Sequence, residues 1–551
     1  MDCQLSHLSK HTNGFDFGTF VSVYKELNET CLPESEIFFH GTRLLTERAC
    51  EVITGNESGS FSAIWSKWTP YPIEDIWTRI VTWKLPLFQL VGQFPRSPLG
   101  FRVETATIFH VLGDPIDSIV SMFVTLAICH TRVEAAKKLC LKAKISPSSP
   151  EYASTWKRLA IIMVAYDDCG KGDEQLRQFR RTYLRLRKHP RFETEIRHIY
   201  EETADCLAAD RQTKSLPVAL AELFFIGGWI IALIKAAASN PSPTNWPNVE
   251  IHSVAFSGLY LWVTSSVAIA SVIGVSQTEA SIPRLLQGFE YHLDCVNVEL
   301  KTLAVGDLSS SLFPSTVTET PTQVQSRRPS AAHREAVRWC STGEARAAQG
   351  GLNAWRPTKW NRPRSHKISN LTMSGFIVAA LVVVGASYVT AILLSYYVPP
   401  HGPGCRHIPE TLMFVIWVAS FILESLIEHW VREWRFWSVF TKDVFCALSN
   451  IAIVVVTQWG IMNRCSCWSM WGLAGLHLPH LPEVMPQLMR DARHVAPWIV
   501  STAILFQMLF CGLIAWWYYD AVRVFIQRDD GISHSRWRRR NPGAEIRVGE
   551  V

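Results

Sequence analysis

Charge is scarce in this sequence: 19% of its 551 residues are Asp, Glu, Lys or Arg, against 48% apolar. That balance argues against a soluble globular enzyme. The short signatures of common catalysts are missing as well, with no GxGxxG, GxxxxGK[ST], HExxH, GxSxG or paired CxxC, which excludes the dinucleotide, P-loop, zincin and hydrolase patterns. The opening residues MDCQLSHLSKHTNGFDFG hold no apolar core of a signal peptide, so the first apolar span is expected to direct insertion. No catalytic residue, cofactor, metal or nucleic-acid partner is expected.

Long apolar runs are what the chain has instead. Six carry few or no charges: Leu216–Ala238, Ile251–Val275, Met373–Val398, Glu410–Glu428, Val444–Asn463 and Pro497–Tyr519. Each suffices as a helix to cross a hydrocarbon layer of roughly 30 Å, and continuous runs of this kind cross as helices. The expected fold class is therefore all-α, a polytopic integral membrane protein of six spans. The three connections expected outside hold 4 Lys and Arg together, and the three alternate segments hold 22. Basic residues collect in the cytoplasm, so the tail 520–551 is expected there, and with six spans residues 1–215 lie on the same side.

A seventh span at 107–129 is open. The stretch HVLGDPIDSIVSMFVTLAIC sets Asp114 and Asp117 against a purely apolar run from Ser118 to Cys129 that is too short to cross alone. Read locally it starts a helix, with Asp114 at the N-cap, Pro115 in the first position and Asp117 at the positive end of the dipole. The aspartates then need no partner, and the helix lies on the membrane surface. The other reading swallows both as intramembrane acids, at a cost of about 2.5–3.5 kcal/mol each on insertion scales.

Residues 1–215 read as a helical, membrane-associated region with 27 basic and 26 acidic residues. Leu159–Tyr166 is apolar but too short to span, so a buried helix and a re-entrant segment are both open. Between Lys171 and Arg191, eight basic residues surround Leu176, Phe179, Tyr183 and Leu186 at helical spacing. Such a face could dock on anionic lipid head groups or simply pack on its neighbours. The segment 276–372, and above all Thr302–Lys367, reads as a disordered cytoplasmic linker, with Ser330 in Arg327-Arg328-Pro329-Ser330 a candidate phosphosite. The linker separates the hairpin 216–275 from a four-helix region, 373–519.

Within the spans ionisable groups are few and therefore informative. Glu222, Glu424 and Asn450 fall at one depth by helical rise, roughly 9 Å from the cytoplasmic face. They are candidates for a polar layer lining a path. The plain alternative has Glu424 and Glu428 marking a span end and Glu222 snorkelling. In the outer loops Cys405 with Cys465 or Cys467 is the ordinary disulfide candidate. Sequons at Asn28 and Asn56 would be used only by a translocated N-terminus.

The segments IWTRIVTWKLPLFQLVGQFPRSPLGF, Ile76–Phe101, and HVLGDPIDSI resemble multi-pass membrane proteins of filamentous fungi that have no assigned activity, and the resemblance carries no functional residue across. A non-enzymatic membrane-association or scaffolding role is the first expectation. A transporter or channel using the polar layer is the alternative, and a seven-span receptor the further one, although no DRY-like triplet or NPxxY segment is present. Multi-pass membrane localisation follows, without a choice between plasma membrane and endoplasmic reticulum.

Overall fold

A computed structural model describes residues 77, 80–94, 101–168, 173–188, 193–212, 215–238, 247–276, 281–312, 368–397, 407–430, 435–458 and 494–526, with short extended pieces at 38–39, 42–45 and 476–477. The described chain is helical almost throughout. In order the helices are α1 (Leu85–Gly92), α2 (Phe101–Gly113), α3 (Pro115–Lys142), α4 (Pro150–Asp168), α5 (Asp173–Leu186), α6 (Glu193–Asp210) and α7 (Ser215–Ala238). They continue with α8 (Pro247–Gly258), α9 (Trp262–Ile273), α10 (Ser281–Leu312), α11 (Asn370–Tyr397), α12 (His407–Trp430), α13 (Arg435–Gln458), α14 (Ala496–Trp517) and α15 (Tyr519–Ile526).

Among the described residues seven helical segments are long and apolar enough to cross a membrane: α3, α7, the joined α8 and α9, α11, α12, α13 and α14. Their burial separates them. Within the protein 83% of the α3 window and 89% of the α8–α9 window are buried, against 17% for α14. On α7, Leu216, Leu220, Leu223, Ile230 and Ile234 recur at helical spacing and stand exposed. The same holds on α14 for Leu505, Met508, Leu509, Leu513 and Trp516. Apolar stripes this long are unfavourable in water and suit hydrocarbon, so α7 and α14 are peripheral while α8–α9 is central.

The second apolar run is not one straight helix. Around Leu259–Leu261 the backbone switches to tighter bonds, Tyr260 N–H to the Ser257 carbonyl and Val263 N–H to that of Tyr260, at 3.0 and 2.9 Å. The chain is thus re-aimed without leaving backbone donors unpaired. A two-residue antiparallel ladder, Arg211–Gln212 with Val275–Ser276, ties the entrance of α7 to the exit of α9.

Outside this bundle α4 and α5 pack on α3, and α6 and α10 pack on α4. The apolar run Leu159–Tyr166 is the buried side of α4, and the α5 stripe of Leu176, Phe179, Tyr183 and Leu186 is buried too. That stripe packs on neighbours rather than facing lipid. Residues 302–312 continue α10 instead of starting the expected linker. Residues 313–367 lie outside the described residues, and Ser330 with them.

Candidate functional site

The turn at Gly113-Asp114-Pro115 joins α2 to α3 in a tight elbow. Asp114 caps α3, its Oδ1 accepting from the Asp117 N–H at 3.0 Å, and Pro115 occupies the first turn, where the missing N–H has no partner to lose. Gly113 is required by proximity: a Cβ there would lie 2.5 Å from the Asp443 carbonyl oxygen of α13. This contact lets α2 lie directly on α13.

Four helices meet at the elbow. Lys442 of α13 extends its Nζ to Asp114 Oδ2 and to Glu424 Oε2 of α12, each at 2.7 Å, and lies 3.0 Å from Asp443 Oδ1. It also donates to the Ser420 hydroxyl at 3.0 Å, and that hydroxyl donates to Asp114 Oδ2 at 3.1 Å. His110, the last polar side chain of α2, faces carboxylates from both ring nitrogens: Nδ1 is 2.7 Å from Asp443 Oδ2 and Nε2 is 3.3 Å from Asp117 Oδ2. Both contacts are hydrogen bonds only when the ring carries both protons. Ser121 donates to Asp117 Oδ2 at 3.4 Å. The acids and His110 are no more than 1% exposed, and Lys442 is 8% exposed.

Among the described residues four carboxylates, Asp114, Asp117, Glu424 and Asp443, therefore share one ammonium and one imidazole. With both bases charged, these described groups still include two more negative ones than positive ones. An uncompensated buried charge costs several kcal/mol, so this group holds protons or recruits a cation. His110, Glu424 and Asp443 do bring one ligand atom each within 4.8 Å of one another. The Lys442 ammonium already lies against Glu424 and Asp443, however, so a metal ion at that point would meet a fixed positive charge. The Lys442 ammonium thus occupies the side of the cluster on which Glu424 and Asp443 converge.

The surface-helix reading of the DPID turn is corrected in one respect and kept in another. Asp114 caps α3 as its spacing implies, but neither aspartate is without a partner, because both are buried among charges from α2, α12 and α13. The polar layer divides. Glu424 joins the cluster; Asn450 lies two turns beyond Asp443 on α13, buried, its amide atoms without a hydrogen-bond partner among the described residues. Glu222 is elsewhere, on α7, which packs on α1, α8 and α9, with Cys511 of α14 as its neighbour. Equal depth by helical rise says nothing about position around the bundle. Cys405, Cys465 and Cys467 lie outside the described residues.

His110, Ser420, Lys442 and Asp443 do not stand out when the chain is read for spans and caps alone. A signal for them is nevertheless present: Lys442-Asp443 is an adjacent pair of opposite charges at the mouth of an apolar run, and Ser420 and Glu424 stand one helical turn apart. A second polar seam crosses the bundle core, where the Ser265 hydroxyl of α9 donates to Gln507 of α14, whose amide reaches Ser387 of α11 at 3.4 Å.

Comparison with protein families, curated proteins and solved structures finds no match. Fold and composition define the class, an all-α multi-pass membrane protein.

Proposed function

We propose that the protein is a transporter or channel in which the cluster around Lys442 takes up and releases a proton. The observation that carries this reading is the charge balance of the cluster: among the described residues four buried carboxylates meet two bases, contributed by two helix pairs, α2–α3 and α12–α13. Ionisable groups within a bundle are costly and mark ion or proton pathways. Proton occupancy is coupled to the approach of the α2–α3 elbow to α12 and α13, because parting them strips Asp114 of Lys442 and Ser420 and His110 of Asp443. A purely scaffolding role gives no use for such a group. The lipid-association reading keeps one support, the outward face of α5 with Arg177, Arg181 and Arg185 exposed and Lys188 exposed just after it, for which anionic head groups are the proposed partner.

The test is proton flux. Purified protein in liposomes with an entrapped pH-sensitive dye is expected to dissipate an imposed pH gradient, and Glu424→Gln to slow this at least tenfold at equal incorporation. Flux no faster than in protein-free liposomes, or unchanged in Glu424→Gln, overturns the proposal.

A further inference from the structure

Among the described residues seven segments have the composition of a span, yet their contacts point to six crossings: we infer that α3 stays on one side of the membrane, capping the bundle with the α2–α3 elbow dipped into it. This goes beyond the proton reading and does not depend on it.

The argument begins with the helices that alternate without ambiguity. Ser395 near the end of α11 bonds Glu410 at the start of α12, and Glu424 late in α12 pairs with Lys442 early in α13. Four successive crossings α11 to α14 therefore place the beginning of α11, the end of α12, the beginning of α13 and the end of α14 on a single face. α3 touches that face along its whole length. At its cap Asp114 meets Lys442 of α13 at 2.7 Å. One-third of the way along, the Phe123 ring lies 5.7 Å from that of Phe376, in the second turn of α11. Further on, the His130 ring is 5.9 Å from that of Tyr518, just after α14, and near the far end Lys137 Nζ is 2.6 Å from Asp520 Oδ2.

From Asp114 to Lys137 the helical rise is roughly 34 Å, as much as the hydrocarbon is thick. A crossing helix of that length would carry its far end to the opposite ends of its neighbours, beside Tyr397, His407, Gln458 or Ala496. Here the far end of α3 meets the end of α14, and its capped end stops beside the middle and later turns of α12 without reaching the opposite face. Its apolar composition has a different cause: α3 is covered by the bundle on one side and by α4 on the other, and 83% of its window is buried in protein. The elbow reaches deepest, where the indole N–H of Trp417, the eleventh of the 24 residues of α12, donates to the Leu112 carbonyl at 3.2 Å. The cluster at the elbow consequently lies nearest one compartment, the side that also holds α4, α5 and α6. The basic tail assigns that side to the cytoplasm.

The full chain with one epitope before residue 1 and another after Val551 tests this in sealed microsomes. Protease added from the cytoplasmic side is expected to remove both epitopes without detergent. Removal of one with protection of the other overturns the inference, as does a glycan on Asn28 or Asn56. A silent flux assay would leave this result untouched, so the two proposals fail separately.

Discussion

Lys442 and Asp114 are 328 residues apart in sequence and 2.7 Å apart in the fold, a buried ion pair with both partners hydrogen-bonded further. Lys442→Met leaves the carboxylates around it without their ammonium. Breaking a buried pair from one side costs about 3–5 kcal/mol, so the thermal midpoint in detergent is expected to fall by several degrees at least. Adding Asp114→Asn to the same protein should restore part of the loss. A Lys442→Met variant as stable as the parent would show that the cluster is not held by this charge.

Gly113 tests the closeness of α2 and α13. A methyl group 2.5 Å from a backbone oxygen cannot be absorbed by rotating a side chain. Gly113→Ala is expected to cost about 1–3 kcal/mol, the usual range for overpacking, and to lower the monodisperse fraction on extraction. Gly92 is the control, since a methyl group added there would meet nothing within 4 Å: Gly92→Ala should be tolerated.

Arg132 of α3 grips Asp167 of α4 with two hydrogen bonds, Nε to Oδ2 at 2.5 Å and Nη2 to Oδ1 at 2.8 Å. Lysine cannot reproduce that fork. Arg132→Lys should therefore lose most of what Arg132→Ala loses, about 3 kcal/mol or more for a buried pair. Limited proteolysis of the connection between α3 and α4, residues 143–149, would report the loosening, and equal protection of Arg132→Lys and parent would contradict it.

Lys144 follows α3 with φ of 60°, where glycine is the ordinary residue, and the Ile145 N–H closes back on the Cys140 carbonyl at 3.0 Å. A side chain in that conformation costs about 1 kcal/mol. Lys144→Gly is expected to raise the melting temperature slightly, and Lys144→Val, branched at Cβ, to lower it.

Tyr200 sets a pH dependence. Its ring is wedged between Phe289 and Tyr183, at 4.9 and 5.1 Å, and its hydroxyl has no hydrogen-bond partner among the described residues. Burial, with the neighbouring Tyr183 adding to it, pushes this phenol well above the usual value of 10. The unfolded chain therefore ionises first. Stability from this residue is whole below about pH 10 and declines as pH climbs from there toward the folded value. Tyr200→Phe should leave neutral stability unchanged or slightly higher, since it removes an unsatisfied group, and should flatten the alkaline decline. Melting curves on either side of pH 10 decide it; a drop of several degrees at neutral pH would count against this account.

Much of the fold is legible in the sequence because lipid solvation demands it. The runs from Leu216, Ile251, Met373, Glu410, Val444 and Pro497 announce helices through length alone. The cap at Asp114 is equally local, a three-residue matter of donors and acceptors. What surrounds it is not local. Asp114 and Asp117 find His110, Glu424, Lys442 and Asp443 only when helices distant in sequence pack together. Helical rise fixes a depth but no bearing around the bundle, which is why Glu222 can match Glu424 in depth and still belong to another part of the fold. Apolar composition misleads in one more place. The core of α3 is greasy because protein covers it, and a hydropathy pattern cannot tell protein from lipid.

The long separation of Asp114 from Lys442 has a consequence for biosynthesis. While the ribosome is still making α4 to α11, Asp114 exists without its counter-ion Lys442, and a translocon offered the elbow would be inserting an acid not yet paired. A helix that never has to be threaded through escapes this problem. With α3 on one side of the membrane, as inferred above, the contacts of the elbow with α12 and α13 can form only after those two helices have been made.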